Sequence, residues 1–339
     1  MNPRVSSFGR QMLRWLRVEG SLGRLLLLTV AVFVVLSVTN PGRFLAADNF
    51  ESMAFQFPEL ALLAFAILLT MLSAGIDLSV VATANLAGIL AALVMTRLLP
   101  EPADGAGARA VVALAGATAL AGGAACGSLN GFLIARVGIS PILATLGTLQ
   151  LFTGLALVIT RGHAIYGYPD AFLFLGNGTL LGLPVPFLLF LAVAALLAGL
   201  INRTAFGVEA RLLGTNPVAA AFAGLPVASV LFRTYLLSGL LGGLTGLLMI
   251  ARTNSAKADY GSSYLLQAIL IAVLGGVNPA GGFGTVLGVS LAVVALQCLG
   301  SGFTLLGFSN FAREFVWGLF LLLIMILNRL AERRKATSG

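Results

Sequence analysis

Apolar runs separated by short clusters of glycine, proline and polar residues fill the chain from residue 25 to 328. They fall at 25–38, 58–75, 78–96, 110–135, 141–160, 184–201, 229–251, 262–276, 284–300 and 314–328. About 20 apolar residues in a helix are needed to cross the hydrocarbon core of a bilayer. Several of these runs are shorter, which points to broken or re-entrant helices shielded within a bundle. The pattern predicts an all-α polytopic membrane protein with about ten transmembrane helices, some of them short or broken. The first run follows Arg4, Arg10, Arg14 and Arg17 and has no clear small-x-small cleavage site after it. It reads as a retained anchor rather than a cleaved signal peptide.

Composition removes the alternatives. Of 339 residues, 59% are hydrophobic and 9% charged, with mean hydropathy +1.02, whereas a soluble domain carries roughly 25% charged residues. A single long soluble enzyme and a disordered chain are both excluded. The net charge of +8 is concentrated at the ends: +4 over residues 1–24, +3 over 329–339, and +1 over the 304 residues between. Basic segments flanking apolar spans mark cytoplasmic ends, not a phosphate-binding face, so no nucleic-acid partner is expected. An even number of spans agrees with two cytoplasmic termini, and it places the loop at about 202–228 in the cytoplasm as well.

Candidate chemistry is sparse. Cys126 and Cys298 lie in apolar stretches, so neither a disulfide framework nor a thiolate metal site is expected. His163 is the only histidine and reads as a loop residue, which removes zinc-protease and Ser-His-Asp chemistry. Without clustered carboxylates or thiols, no catalytic constellation is visible and no enzyme is expected. Many of the 41 glycines fall four apart, as in Gly123, Gly127 and Gly131, Gly239 and Gly243, Gly242 and Gly246, and Gly284 and Gly288. That spacing lets helix backbones approach closely in lipid.

Polar residues inside the apolar runs are the remaining candidates. Asp77 is the only charge in the 37 residues from Leu60 to Thr96. It reads either as a cap accepting from the first free amides of a helix or as a polar anchor in a pathway, with the cap preferred. Gly75-Ile76-Asp77 is echoed 201 residues later by Gly276-Val277-Asn278, which reads either as common turn chemistry, the preferred reading, or as matching helix breaks in duplicated halves. Ser79, Thr83, Asn85, Asn130, Thr145, Thr148, Gln150, Thr234, Gln267 and Gln297 complete the set; some should face a cavity, because an amide facing lipid lacks partners.

Four segments, in order, resemble a known family. Ala74-Gly75-Ile76-Asp77-Leu78-Ser79-Val80 is similar to the Gly-Ile-Asp-Leu-Ser-Val segment of the ribose-type (carbohydrate) permeases of bacterial ABC importers. Asn130-Gly131 with Ile139 through Thr148, Gly207 through Gly214-Thr215-Asn216-Pro217-Ala219-Ala220 and Gly224, and Leu274-Gly275-Gly276 with Gly281 through Gly288 match later segments of that family. Departures occur at Ala74, Val81 and Thr215, where glycine is usual, and they weaken any assignment to ribose itself.

The resemblance implies a binding-protein-dependent importer of the bacterial inner membrane. Residues 25–328 would form one transmembrane permease domain between basic cytoplasmic tails at 1–24 and 329–339. The chain would form a path for a monosaccharide or sugar alcohol with a second copy or a paralogue. No G-x-x-x-x-G-K-[ST] is present and the only lysines are Lys257 and Lys335, so no cofactor is expected on this chain. ATP and Mg would sit on a separate cytoplasmic ABC ATPase docked at Gly214, Thr215, Asn216, Pro217, Ala219, Ala220 and Gly224. A short helix over Pro217–Gly224 would present Ala219, Ala220 and Ala223 as a knob, with Arg203, Glu209 and Arg211 nearby. A periplasmic or extracellular sugar-binding protein would dock on loops 39–57, 161–183 and 252–263, where Arg252, Lys257 and Asp259 supply charge. The alternative is a self-sufficient ion-coupled secondary transporter using Asp77.

Overall fold

Helices dominate because lipid offers no partners to the backbone, and a helix satisfies its amides within one segment. The computed structural model describes residues 22–98 and 105–309, together with 312, 313, 315–319, 322 and 326. The basic tails, apart from residues 22–24, lie outside the described residues, as does most of the tenth expected span.

In chain order the helices are α1 (Leu22–Thr39), the single turn α2 (Pro41–Phe44), α3 (Ala47–Leu72), α4 (Val80–Leu98) and α5 (Ala106–Phe132), which continues through a π-turn over Leu133–Val137. There follow α6 (Pro141–Thr160), α7 (Asp170–Asn177), α8 (Val185–Arg203), α9 (Ala205–Thr215), α10 (Pro217–Phe222), α11 (Val227–Thr253), α12 (Tyr264–Leu274) and α13 (Val286–Leu305). Among the described residues seven helices are long and apolar enough to cross a bilayer, namely α3, α4, α5 with its π-turn, α6, α8, α11 and α13. The apolar part of α1 and the 11-residue α12 are shorter. At about 1.5 Å per residue α12 reaches only half-way through a core of about 30 Å.

The largest departure from the hydropathy pattern is α3. Its expected apolar run begins at residue 58, yet the helix begins at Ala47 and runs through Pro58. Residues 47–57 are therefore helix, not an outer loop. Asn49, Ser52 and Gln56 put polar groups on one helical face there, and this breaks the apolar run without breaking the helix. Residues 204–226 hold α9 and α10, the second of which is the short helix expected from Pro217, ending at Phe222.

The core is built on α3, α4 and α11. Of their most apolar stretches 83%, 72% and 78% are buried, against 28% in α5, α6 and α8, which take the periphery. Close approach of α5 and α11 is set by glycine. A Cβ at Gly127 would strike the Tyr235 carbonyl oxygen and come within 3.0 Å of Gly239 Cα; one at Gly239 would lie 2.7 Å from Gly127 Cα. Gly123 packs in the same way on Gly239 and Gly243, and Gly246 on α4 at Ala84 and Gly88. Cys126 and Cys298 are buried and unbridged.

At the end of the bundle opposite α9 and α10, two short ribbons tie the loops down. Ile165–Tyr166 pairs antiparallel with Ser255–Ala256, and Thr179–Leu180 with Leu183–Pro184. Asn85 Nδ2 donates to the carbonyls of Ala258 (3.0 Å) and Tyr260 (2.9 Å), which holds the loop after α11 to α4.

Gly127→Ala should cost about 1–3 kcal/mol through overpacking between backbones, read as a lower thermal midpoint of the purified protein. Gly154→Ala, in a helix interior where nothing lies within 4 Å, should leave that midpoint unchanged or raise it slightly.

Candidate functional site

Two interruptions in the helices organise the site. In the first, between α3 and α4, Ala74 N–H bonds the Met71 carbonyl and Gly75 N–H the Thr70 carbonyl, both at 3.0 Å. In the second, between α12 and α13, Gly276 N–H bonds Val273 and Val277 N–H bonds Ala272, again both at 3.0 Å. Both are Schellman endings, which turn on one left-handed residue. That residue is Gly276 (φ +83°) in one and Ala74 (φ +60°) in the other; for an alanine the conformation is strained by roughly 1–2 kcal/mol.

An Asx turn follows each ending. Asp77 Oδ1 accepts from Ser79 N–H, and Asn278 Oδ1 from Ala280 N–H, both at 3.0 Å. The Asx residues are 201 positions apart and the left-handed residues 202. The two breaks thus use the same local chemistry in slightly different spacing, and they touch: Gly282 N–H donates to the Leu72 carbonyl at 3.1 Å.

Asp77 sits at the centre of a buried polar chain. Thr148 on α6 donates to Asn130 Oδ1 on α5 (2.6 Å), and Asn130 Nδ2 donates to Ser79 Oγ (2.8 Å). Ser79 Oγ in turn donates to Asp77 Oδ1 (2.7 Å), while Ser238 Oγ on α11 donates to Oδ2 (2.7 Å). Thr70 Oγ1 accepts from Asp77 N–H (3.3 Å), and Thr145 Oγ1 donates to the Ile76 carbonyl (3.1 Å). All these side chains are buried. Their mutual satisfaction makes a carboxylate at this depth tolerable. Tyr235, also buried, sets its hydroxyl directly over Gly75 without a hydrogen-bond partner.

The α9–α10 segment meets the breaks at Gly214. A Cβ there would strike the Leu72 carbonyl and lie 2.5 Å from Gly282 N, while one at Gly281 would lie 2.5 Å from the Gly214 carbonyl oxygen. Thr215 ends α9, its hydroxyl bonding the Arg211 carbonyl at 2.9 Å. Asn216 caps α10 by accepting from Ala219 N–H at 3.0 Å, and Pro217 takes the first helical position. Gly224 (φ +79°) closes the turn. Ala220 is buried beneath α10, so Ala219, Ala220 and Ala223 do not form one exposed knob. The outward face belongs to Phe222, 90% exposed, and Val218, 65% exposed. Arg211 is engaged within the chain, its Nη2 donating to Asn202 Oδ1 at 2.8 Å.

A partly open cavity of about 580 Å³ lies on the far side of the breaks, between α3, α12 and α13. Asn49, Ser52, Gln56, Gln267, Gln297, Ser301 and Thr304 give its wall amides and hydroxyls, joined by Arg252, Arg313, Tyr264 and Trp317. Behind Arg252 stands Glu59, fully buried, whose carboxylate takes Nε at 2.5 Å and Nη2 at 3.0 Å.

Comparison with known proteins matches a family described as a branched-chain amino acid transport system, permease component, over residues 49–327. The autoinducer 2 import system permease protein LsrD of Yersinia enterocolitica is 32% identical over 314 residues, covering 91% of this chain and 90% of that protein. The chain belongs to this permease family. LsrD proteins of Yersinia pestis and Yersinia pseudotuberculosis are 31% identical over 309 residues, covering 88% of the permease and 90% of each relative. No solved structure matches it. The permease is a multi-pass protein of a bacterial inner membrane, with a transport role rather than an enzymatic one.

Of the residues that the sequence of this permease singles out, Asp77, Ser79, Asn130, Thr145 and Thr148 converge on one network, and Gly276 and Asn278 form the second break. Gln267 stands apart from them on the cavity wall, and Asn85 holds the loop after α11. Sequence reasoning misses Glu59, which is as fully buried as Asp77. It also assigns Arg252 to a solvated outer loop, whereas Arg252 ends α11 and pairs with Glu59. A carboxylate opening one apolar run and a guanidinium closing another were the available signals. Ser238 and Gln56 carried none beyond their polarity.

Asn130→Ala removes both links between Thr148 and Ser79 and should cost about 1–3 kcal/mol by leaving buried groups unpaired. Thr148→Val added to it should cost less than Thr148→Val alone. Thermal unfolding of the double-mutant cycle checks this.

Proposed function

We propose that the permease is the membrane subunit of an ATP-driven importer for a small sugar-like molecule, with both termini and α9–α10 in the cytoplasm. The observation that carries this reading is the meeting of Gly214 with Leu72 and Gly282. Through it, the segment expected to dock an ATPase bears directly on the breaks that end α3 and α12. Those two helices and α13 also wall the polar cavity. Displacement of α9 by a closing ATPase would press on both breaks together and so alter the cavity.

ATP and Mg would reside on the ATPase, which would seat Phe222 and Val218 in an apolar groove. The ribbons, α7 and residues 254–263 would receive a cargo-loaded binding protein on the outer side. A second copy or a paralogue would complete the path, and about ten spans would form one domain over 25–328. Amides and hydroxyls along the cavity can both donate and accept, which suits a hydroxyl-rich cargo. The relatives named for autoinducer 2 import support the same class, since autoinducer 2 is sugar-like. Ion-coupled transport through Asp77 is less well supported, because both its oxygens serve the break and its neighbours.

Purified permease should co-isolate with an ABC ATPase, and the reconstituted complex should accumulate ribose or autoinducer 2 only with ATP and a binding protein. Uptake by the permease alone under an ion gradient would overturn the proposal. Phe222→Asp, at an exposed position, should leave the thermal midpoint unchanged and cut ATP-driven uptake by about tenfold or more, the loss of one interface anchor.

A further inference from the structure

The cavity wall contains one feature that transport architecture alone does not explain. Arg252 lines the cavity, its side chain 24% exposed, and Glu59 behind it is fully buried and outside the lining. An ion pair serving only to join α3 to α11 has no need of this orientation. The carboxylate occupies the edge formed by Nε and Nη2. A guanidinium has five N–H groups in a rigid fork, so the remaining donors point away from the carboxylate, on the side where Tyr264 of the cavity wall also meets the guanidinium. Among the described residues neither Asp nor Glu lines the cavity. Glu59 therefore does two things: it cancels most of the cost of a cation at this depth, and it fixes the direction in which the remaining donors point.

We propose that Arg252 is a specificity-determining residue of the transport path, with Glu59 as its positioning residue, and that they select a cargo offering oxygen acceptors and carrying no positive charge. The proposal rests on the importer reading above and deepens it. A hydroxyl-rich ring fits, because a sugar oxygen can accept from the guanidinium while its hydroxyls engage Gln56, Gln267 and Gln297. A cationic cargo would meet a guanidinium with no carboxylate among the described lining residues to offset it.

Exchange of the two charges separates this role from a simple lock. Arg252→Glu alone sets two carboxylates face to face and should lower the thermal midpoint. Glu59→Arg combined with Arg252→Glu restores an ion pair between the same helices but turns the carboxylate toward the cavity. The wild-type importer complex, reconstituted with its ATPase and binding protein, is assayed first with labelled ribose and with autoinducer 2. Whichever it accumulates becomes the probe, and failure of both would count against the importer reading rather than against Arg252. The exchanged pair should recover thermal stability, yet its ATP-driven uptake per folded complex should remain about tenfold or more below wild type, the loss expected for one hydrogen bond to a charged group. Uptake restored to within about twofold would show that the pair is only a lock and overturn the proposal. If the exchanged pair does not fold, Arg252→Lys decides. Lysine keeps the charge opposite Glu59 but loses the planar fork. Uptake should again fall about tenfold, and unchanged uptake would overturn the proposal.

Discussion

The hydrogen bond from Gly282 N–H to the Leu72 carbonyl is the contact on which the arrangement turns. A helix that stops inside a membrane protein leaves carbonyls unsatisfied, and lipid cannot supply their partners. Here two helices stop, α3 and α12, and the break after α12 supplies a partner that the end of α3 lacks. Schellman turns take up some of the orphan carbonyls, Asx turns take up the next amides, and the remaining Leu72 carbonyl is given to the opposite break. Neither interruption is independent of the other. Gly214 then packs so closely on both that a side chain could not be accommodated there.

The two buried carboxylates illustrate different solutions to one electrostatic problem. Asp77 is met by hydroxyls and a backbone amide, contributed by its own turn and by α11. Such a group is held by dipoles, and the chain of donors extends through Asn130 to Thr148, so that α5, α6 and α11 are registered around the break. Glu59 is met by a full countercharge. A buried ion pair adds little net stability, because desolvation consumes much of the Coulomb gain, but loss of either member leaves a bare charge. It therefore fixes geometry more than it adds stability, and the geometry it fixes is that of Arg252 on the cavity wall.

Periodicity and motif spacing made much of this legible. The helical class, the glycine stripes between α5 and α11, the capping chemistry of Asn216 and Pro217, and the pairing of two breaks were all visible along the chain. What escaped has a common cause. Residues 47–57 are polar on one face only, so an average over consecutive residues hides a helix that a face-by-face count would reveal. Ala220, expected in an exposed knob, is buried because a one-and-a-half-turn helix hides whichever side meets α9 and α11, and Phe222 is left facing outward. The Glu59–Arg252 pair joins positions 193 residues apart, and no local spacing rule encodes such a contact.

Backbone contact has a particular advantage at the junction of α9 with the two breaks. Long side chains can change rotamer and absorb a displacement, whereas Gly214, Leu72 and Gly282 meet main chain to main chain, with no rotamer to yield. A movement of α9 must then shift the ends of α3 and α12 or break their shared hydrogen bond. The same two helices carry Gln56 and Gln267 into the cavity, about two to four helical turns away. Placing the glycines where force would enter, and the amides and Arg252 where cargo would lie, divides transmission from recognition within continuous helices. Rigid contact is needed at one end and adaptable hydrogen bonding at the other. Glycine would be useless in the second role and glutamine poor in the first, so the residue types at the two ends suit the different physical tasks proposed for them.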